Sequence, residues 1–482
     1  MNRHFIRAGA AALLLASAPL WAETLPLKSV NKAGDVIDAA IEAYGGAEAL
    51  DRLQRVAQKQ HLVTFATGQS RQPGPPWDRN EVKNFSAIDI ENDVFVNRTA
   101  GEGGGFVFEG GVIINGEDSW QLDYFAGTAA PLAEPDFDTQ SGPFIRVTAP
   151  LLIKQLQERR QTSHWLGEVE VDGRPHDVIT LVMEVGPGLA LYFDRESHLL
   201  THMERVLPPF GQVEYTFLDY ENVGGIPFSQ KFKLHVNGEP NLEMDVLETQ
   251  VNQPLDAWVQ VPDSLRQVAE VRPDDFSSQE IDEGVFLIGG NNTYTLFVEM
   301  DDHVVAVGGT QIVPDAIKEL RQHVADKPVR YGVLTHHHSD HVPGAAAYAK
   351  EGATIVTFRD NESVVRDAAD DANAKLQFVD QRLTLNGGSR AVELYDIGPT
   401  PHAEHILIAY LPEEGIIFEA DHFPQPLNGE IPPAVPATVA FARALDRLDL
   451  EYDTLVGAHS PRVAGPEAVA TALRRQPANA GL

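Results

Sequence analysis

The chain has 482 residues, 43% of them hydrophobic, and a formal net charge of −33 from 70 acidic and 37 basic side chains. That length favours two domains over one core, and that apolar content excludes a disordered chain. So acidic a surface repels phosphate backbones and argues against nucleic-acid binding, while the lack of cysteine excludes thiolate metal sites and attachment through a lipobox.

The first residues read as an export signal. Arg3 and Arg7 precede the apolar run Ala8 to Leu15, and Ala16-Ser17-Ala18-Pro19-Leu20-Trp21-Ala22 offers small residues at a cleavage point after Ala22. The expectation is a signal peptide over 1–22 and a periplasmic or secreted chain with no transmembrane segment after cleavage. Val36, Ile37, Ala40, Ile41 and Tyr44 then share one helical face that Gly45-Gly46 ends, and a short helix follows from Ala47 to Leu53.

From Val56 to Leu247 the texture changes to short alternating runs, among them His61 to Phe65, Phe106 to Phe108, Val178 to Val182 and Gln212 to Phe217. The turn signals Asn115-Gly116, Asp172-Gly173 and Asn237-Gly238 separate them. This predicts an antiparallel β-rich domain over 23–252 with one helical insertion from Pro150 to Arg160. Within it, Tyr192-Phe193-Asp194 to Leu199-Leu200 and Asp219 to Pro227 resemble the curved-sheet lipoprotein carriers of the periplasm. That resemblance implies a half-barrel with an apolar concave face, which Trp77, Trp120 and Trp165 would line. Gly103-Gly104-Gly105 has no Gly-Lys-Ser/Thr after it, so it reads as a mobile turn and not a phosphate loop. No G-x-S-x-G elbow is present either.

The Pro- and Asp-rich stretch 253–282 reads as a linker. Beyond it, over 283–482, strands and helices interleave. Strands are expected at Val285 to Ile288, Thr295 to Val298, Val304 to Val307, Val329 to Leu334, Thr354 to Phe358, Val392 to Tyr395, Ile406 to Leu411, Ile416 to Phe418 and Thr454 to Val456. Helices are expected at Pro314 to Val324, Gly344 to Lys350, Ala437 to Leu448 and Pro466 to Arg475. This is the texture of an α/β sandwich whose polar residues sit just past strand ends.

One such strand end carries His336-His337-His338-Ser339-Asp340-His341, an H-x-H-x-D-H motif. Imidazoles and a carboxylate at this spacing suit zinc and other borderline divalent metals. With Val304 to Thr310, Pro399-Thr400-Pro401-His402, Phe418-Glu419-Ala420-Asp421 and Gly457-Ala458-His459 in order, the last 200 or so residues resemble the metallo-β-lactamase-fold hydrolase superfamily. The resemblance implies an αββα sandwich in which His336, His338 and His402 hold one metal ion. Asp340, His341 and His459 would hold a second, and Asp421 would bridge them.

The implied cofactors are two divalent ions, zinc first, with iron or manganese also suited. The implied reaction is hydrolysis of an ester, lactone, thioester or amide by a metal-bridging hydroxide that Asp340 helps orient. The expected partner is a small, apolar acyl substrate; the sequence fixes no oligomeric state. His405 competes with His402, which is preferred because it directly follows a strand end. His337 and His422 flank ligands without an assigned role.

Three departures matter. Gly308 stands where the family usually has an Asp that buttresses the histidine loop. Asp421 stands where true metallo-β-lactamases carry Cys or Ser, and no Tyr follows it as in acyl-homoserine lactonases. Two rival readings remain open: an iron-dependent oxidoreductase resembling persulfide dioxygenases, and a non-catalytic periplasmic lipid- or ligand-binding protein.

Overall fold

The computed structural model describes residues 24–477 except 133, 209, 271–273, 325 and 427–429, so the expected signal over 1–22 lies outside the described residues. The first helix forms as Leu25–Ala43, burying Ala33, Val36, Ile37, Ala40 and Ile41 along one face. It stops because Gly45 and Gly46 follow at φ 95° and 86°, conformations that side chains resist. No helix among the described residues is long and apolar enough to cross a membrane.

Among the described residues the β-rich region is a single fourteen-stranded sheet, running from Arg266–Gln267 at one edge to Trp165–Val171 at the other. Its first strand, Arg55–Phe65, lies mid-sheet between Arg79–Asp89 and Glu239–Val251, antiparallel to both. One face is packed by the helices Leu25–Ala43, Ala47–Arg52, Phe137–Val147 and Ala149–Arg159 against Val56, Ile88, Phe95, Leu191 and Phe217. The insertion is therefore two helices and not one. Asp136 caps the unforeseen one, accepting from the backbone N–H of Asp138 and Thr139.

An open apolar concavity, as the carrier resemblance implied, is not what this face presents. Where the helices end, Gln58, Gln60, Asn84, Ser86, Asn97 and Thr99 form a polar ladder, with Asn84 Nδ2 donating to Gln60 Oε1 at 2.7 Å and Asn97 Nδ2 to Asn84 Oδ1 at 2.9 Å. The three tryptophans share no lining. Trp165 packs against the helix-covered core, Trp120 packs beside Leu265, and Trp77 donates to Glu239 from a loop.

The stretch 253–282 is more than a linker. Leu255, Trp258, Val259, Val261 and Leu265 pack on the sheet against Phe85, Val96 and Ile113, and the Trp258 and Phe85 rings stack with centroids 4.2 Å apart. Ser277–Asp282 then forms the edge strand of the next sheet. Its prolines and aspartates hid the apolar residues spaced between them.

Residues 277 onward form two facing sheets, of seven and six strands, with helices outside each. In Val304–Val307, Val305 and Val307 face the inter-sheet core while Val304 and Ala306 face the helix Val313–His323. Both faces are thus buried, which explains the unbroken apolar run. The helix Glu362–Ala369 and the strands Leu376–Val379, Arg382–Asn386 and Ser460–Ala464 complete the layers beyond the elements expected from sequence.

Candidate metal centre

The strand Val329–Val333 ends at the histidine loop, and bare backbone closes that loop. Gly308 N donates to Val333 O at 3.0 Å and Gly344 N to Gly309 O at 2.7 Å. A Cβ on Gly309 would lie 2.1 Å from the His341 carbonyl oxygen, so only glycine lets these segments meet. Gly308 lies at φ 119°, and its carbonyl accepts from the buried Tyr348 hydroxyl at 2.5 Å.

Strand ends bring the remaining residues to the same place. Asp421 follows Ile416–Glu419, His459 follows Thr454–Gly457, and His402 lies in the loop after Ala391–Asp396. Asp421 itself sits at φ 63°, in the left-handed region that Asp enters more readily than most residues with a side chain. The buried Glu419 carboxylate holds this turn, accepting from His422 N at 2.8 Å and Phe423 N at 3.3 Å.

The Asp421 carboxylate lies between the imidazoles. Its Oδ2 is 3.3 Å from His336 Nε2, 3.4 Å from His402 Nε2 and 2.8 Å from His341 Nε2, and its Oδ1 is 3.0 Å from His459 Nε2. Asp340 Oδ2 lies 3.3 Å from His341 Nε2 and 3.8 Å from His459 Nε2. Three groups have ligand atoms within 4.8 Å of one another: His336, His338 and His402; His336, His341 and Asp421; and Asp340, His341 and His459. All seven residues singled out in the sequence are thus gathered in one cluster. His405 is not among them: it pairs with Asp396 at 2.7 Å and stacks on Phe358. His337 and His422 are buried beside the cluster, bonded to the carbonyls of Ser70 and Ala420.

The cluster fits a cation. His338 Nδ1 is buried with no hydrogen-bond partner among the described residues, and Asp421 Oδ2, close to three imidazole nitrogens, receives no well-directed hydrogen bond. A carbonyl can only accept, so a ring nitrogen bonded to one carries the proton and leaves its lone pair on the other nitrogen. His338 Nε2 donates to Ser70 O at 3.0 Å, His402 Nδ1 to Gly104 O at 2.7 Å and His459 Nδ1 to Asn292 O at 3.0 Å. The lone pairs of His402 and His459 therefore lie on the nitrogens that face Asp421, and that of His338 lies on Nδ1, in one group with His336 and His402.

Burial, and next the neighbouring His341, hold the His336 imidazole well below its ordinary range; burial, then His402, push His338 down to about 3. Both are neutral at neutral pH, as ligands must be. Burial disfavours charge on His341 too, but the Asp421 and Asp340 carboxylates outweigh it and push it up to about 10. Asp421 is correspondingly held low: burial opposes its charge, and His341 overcomes burial. The pair holds a proton that a bound cation would displace.

A cleft of about 910 Å³ opens on Asp421 and His459. Its lining includes Phe106, Thr128 and Ala130 of the large sheet, Ala126 of the turn between two of its strands, and Phe423, Ile431 and Pro432. Nothing in the residue types marked the large sheet's part in the site, because much of it is played by backbone carbonyls. The triple glycine at 103–105, expected as a mobile turn, supplies one of those carbonyls.

The family model described as the metallo-beta-lactamase superfamily matches residues 304–459, and the C-terminal domain has that fold. Solved structures that resemble it include a metallo-β-lactamase from Pontibacter korlensis, 16% identical over 42% of this chain and 100% of that one, with a TM-score of 0.35. Another is the FIM-1 metallo-β-lactamase from Pseudomonas aeruginosa in its mono-zinc form, 21% identical over 41% and 93%, TM-score 0.32. A third is the flavodiiron protein from Giardia intestinalis, 17% identical over 42% of this chain but 58% of its own, TM-score 0.34. No curated protein matches the sequence.

Proposed function

We propose that this chain is an exported, dinuclear metal-dependent hydrolase, with zinc as the resident metal, that cleaves an ester, lactone, thioester or amide of an apolar acyl compound. The observation that carries this reading is the Asp421 carboxylate, set between two groups of ligating side chains at the floor of the cleft. His336, His338 and His402 would hold one ion, Asp340, His341 and His459 the other, and Asp421 both. When bound, divalent ions at such a site polarise a carbonyl and acidify a water toward a pKa of about 7.

The chain's own residues supply the rest. Asp340 is half-exposed at the cluster's rim, and Gln69 Nε2 donates to its Oδ1 at 2.8 Å while its Oδ2 faces His341 and His459. A carboxylate fixed in this way is placed to take a proton from an attacking water and return it to the leaving group. The apolar walls hold the acyl chain and exclude bulk water. Gln425 lines the same cleft with its amide oxygen and nitrogen buried and unpartnered among the described residues, and so offers a donor and an acceptor to the substrate's polar atoms.

The test is a chromogenic panel of esters, lactones, thioesters and amides, run before and after chelation, with oxygen uptake on a persulfide in parallel. Chelator-sensitive hydrolysis restored by zinc supports the proposal. Iron-dependent oxygen uptake without hydrolysis would establish the oxidoreductase reading in its place.

A further inference from the structure

We infer that the N-terminal domain is part of the metal centre: two of its loops fix the ring orientation and the tautomer of His338 and His402, and ion affinity depends on their docking. The inference rests on the reading of the cluster as a metal site and is independent of which reaction it performs.

The first loop connects the strands Arg55–Phe65 and Arg79–Asp89. Its ends close on each other, Ala66 N donating to Asp78 O at 2.9 Å. Ser70 is stapled inside it, Oγ donating to Ala66 O at 2.9 Å and accepting from Asp78 N at 2.8 Å. The Asp78 carboxylate accepts from the Arg71 backbone N–H at 2.8 Å and from both Nε and Nη2 of its guanidinium at 3.1 Å. A loop held this way presents its carbonyls as rigid acceptors. Ser70 O takes the Nε2 protons of both His337 and His338, Gly68 O takes Ser339 N at 2.9 Å, and Gln69 Nε2 reaches Asp340. One loop thus contacts four consecutive residues of the histidine motif.

The second loop is the hairpin tip between Val94–Gly103 and Phe106–Asn115. Gly104 O takes the His402 Nδ1 proton at 2.7 Å, and Gly105 O anchors the tip on Ala437 N at 2.9 Å. The tip approaches too closely for side chains. A Cβ on Gly105, where φ is 82°, would meet Ala437 Cβ at 3.0 Å, Pro401 Cβ at 3.3 Å and His402 N at 3.4 Å. Removing hydrogen-bond partners of metal-ligating imidazoles weakens metal binding by roughly 10–100-fold. His338 and His402 belong to one ligand group with His336, so these loops act together on the same ion.

The experiment titrates Zn²⁺ alone into the metal-free, full-length protein against a chromophoric chelator. Gly105→Val dislodges the tip and Asp78→Ala frees the stapled loop. Gly116→Val, at φ 57° in a turn with open space around it, is the control for strain in the same sheet. Zinc affinity should fall about 10–100-fold in each of the first two variants and stay at the wild-type level in the control. Nitrogen-15 spectra of the wild-type imidazoles add a readout that needs no variant: His338 should carry its proton on Nε2 and His402 on Nδ1. Folded variants with wild-type affinity, or protons on the opposite nitrogens, overturn the inference; the spectra decide it alone if a variant does not fold. Wild-type protein that binds no zinc sinks the metal reading itself, which is a different failure.

Discussion

Placing Asp at position 308, where the family resemblance expects a carboxylate, should damage this chain and not improve it. Gly308 is buried at φ 119°, and a Cβ there would lie 3.2 Å from Tyr294 O and 3.5 Å from the Phe418 ring. Backbone strain alone makes Gly308→Ala cost about 1–3 kcal/mol. Gly308→Asp adds a carboxyl group beside a carbonyl oxygen and an aromatic ring, about 1–3 kcal/mol more for a buried group left without a partner. In a domain of roughly 200 residues each kcal/mol lowers the midpoint by about 2–4 °C, so the Asp variant should melt about 5–20 °C below wild type. Thermal unfolding of metal-free and zinc-loaded protein measures this, with the Ala variant isolating strain. An Asp variant as stable as wild type that binds zinc more tightly would rule out strain at this position, because the loop would then have relaxed to use the carboxylate.

Other perturbations separate chemistry from scaffold. Asp340→Ala and Asp421→Ala should each reduce turnover at least about 100-fold in a steady-state assay while circular dichroism stays near wild type; undiminished turnover in either would count against the mechanism. Trp258→Ala should destabilise the protein by about 2–4 kcal/mol in urea unfolding, since the ring stacks on Phe85 and lies 5.2 Å beneath the Arg98 guanidinium; a loss under about 0.5 kcal/mol would return the 253–265 strap to the status of a linker. Asp78 gives a pH test. The Arg71 guanidinium holds its carboxyl below the usual range despite some burial. Its contribution is therefore present above the unfolded-state pKa and lost as pH falls through the lower folded value. Asp78→Asn should cost stability at neutral pH and little at strongly acid pH, and an equal cost at both would exclude the ion pair as the cause.

The C-terminal domain was legible in the sequence because strands such as Val304–Val307 and Ile416–Glu419 are buried on both faces and leave apolar runs, and the residues of the cluster come shortly after strand ends. His336, Asp421 and His459 could each be read as the residue that follows such a run. His402, and not His405, lies beside His336 and Asp421, although it follows the Pro399 to Pro401 loop and not a strand end. Elements that were missed carry mixed signals. Phe137–Val147 has Gly142 and Pro143 within it and depends on the Asp136 cap, and the strap over 253–265 spaces its apolar residues among prolines and aspartates. Least legible was the partnership between the domains. Ser70, Gly68 and Gly104 contribute backbone carbonyls, which every residue possesses, so nothing in their side chains marks the role.

In the proposed site the Asp421 carboxylate joins two ions. Metal content per chain, measured by mass spectrometry after zinc reconstitution and removal of loosely bound metal, tests it most directly. Wild-type protein should hold two zinc ions per chain and Asp421→Ala should lose at least one, with hydrolysis falling in step. A single ion in fully active wild-type protein, or two ions retained by Asp421→Ala, would contradict it.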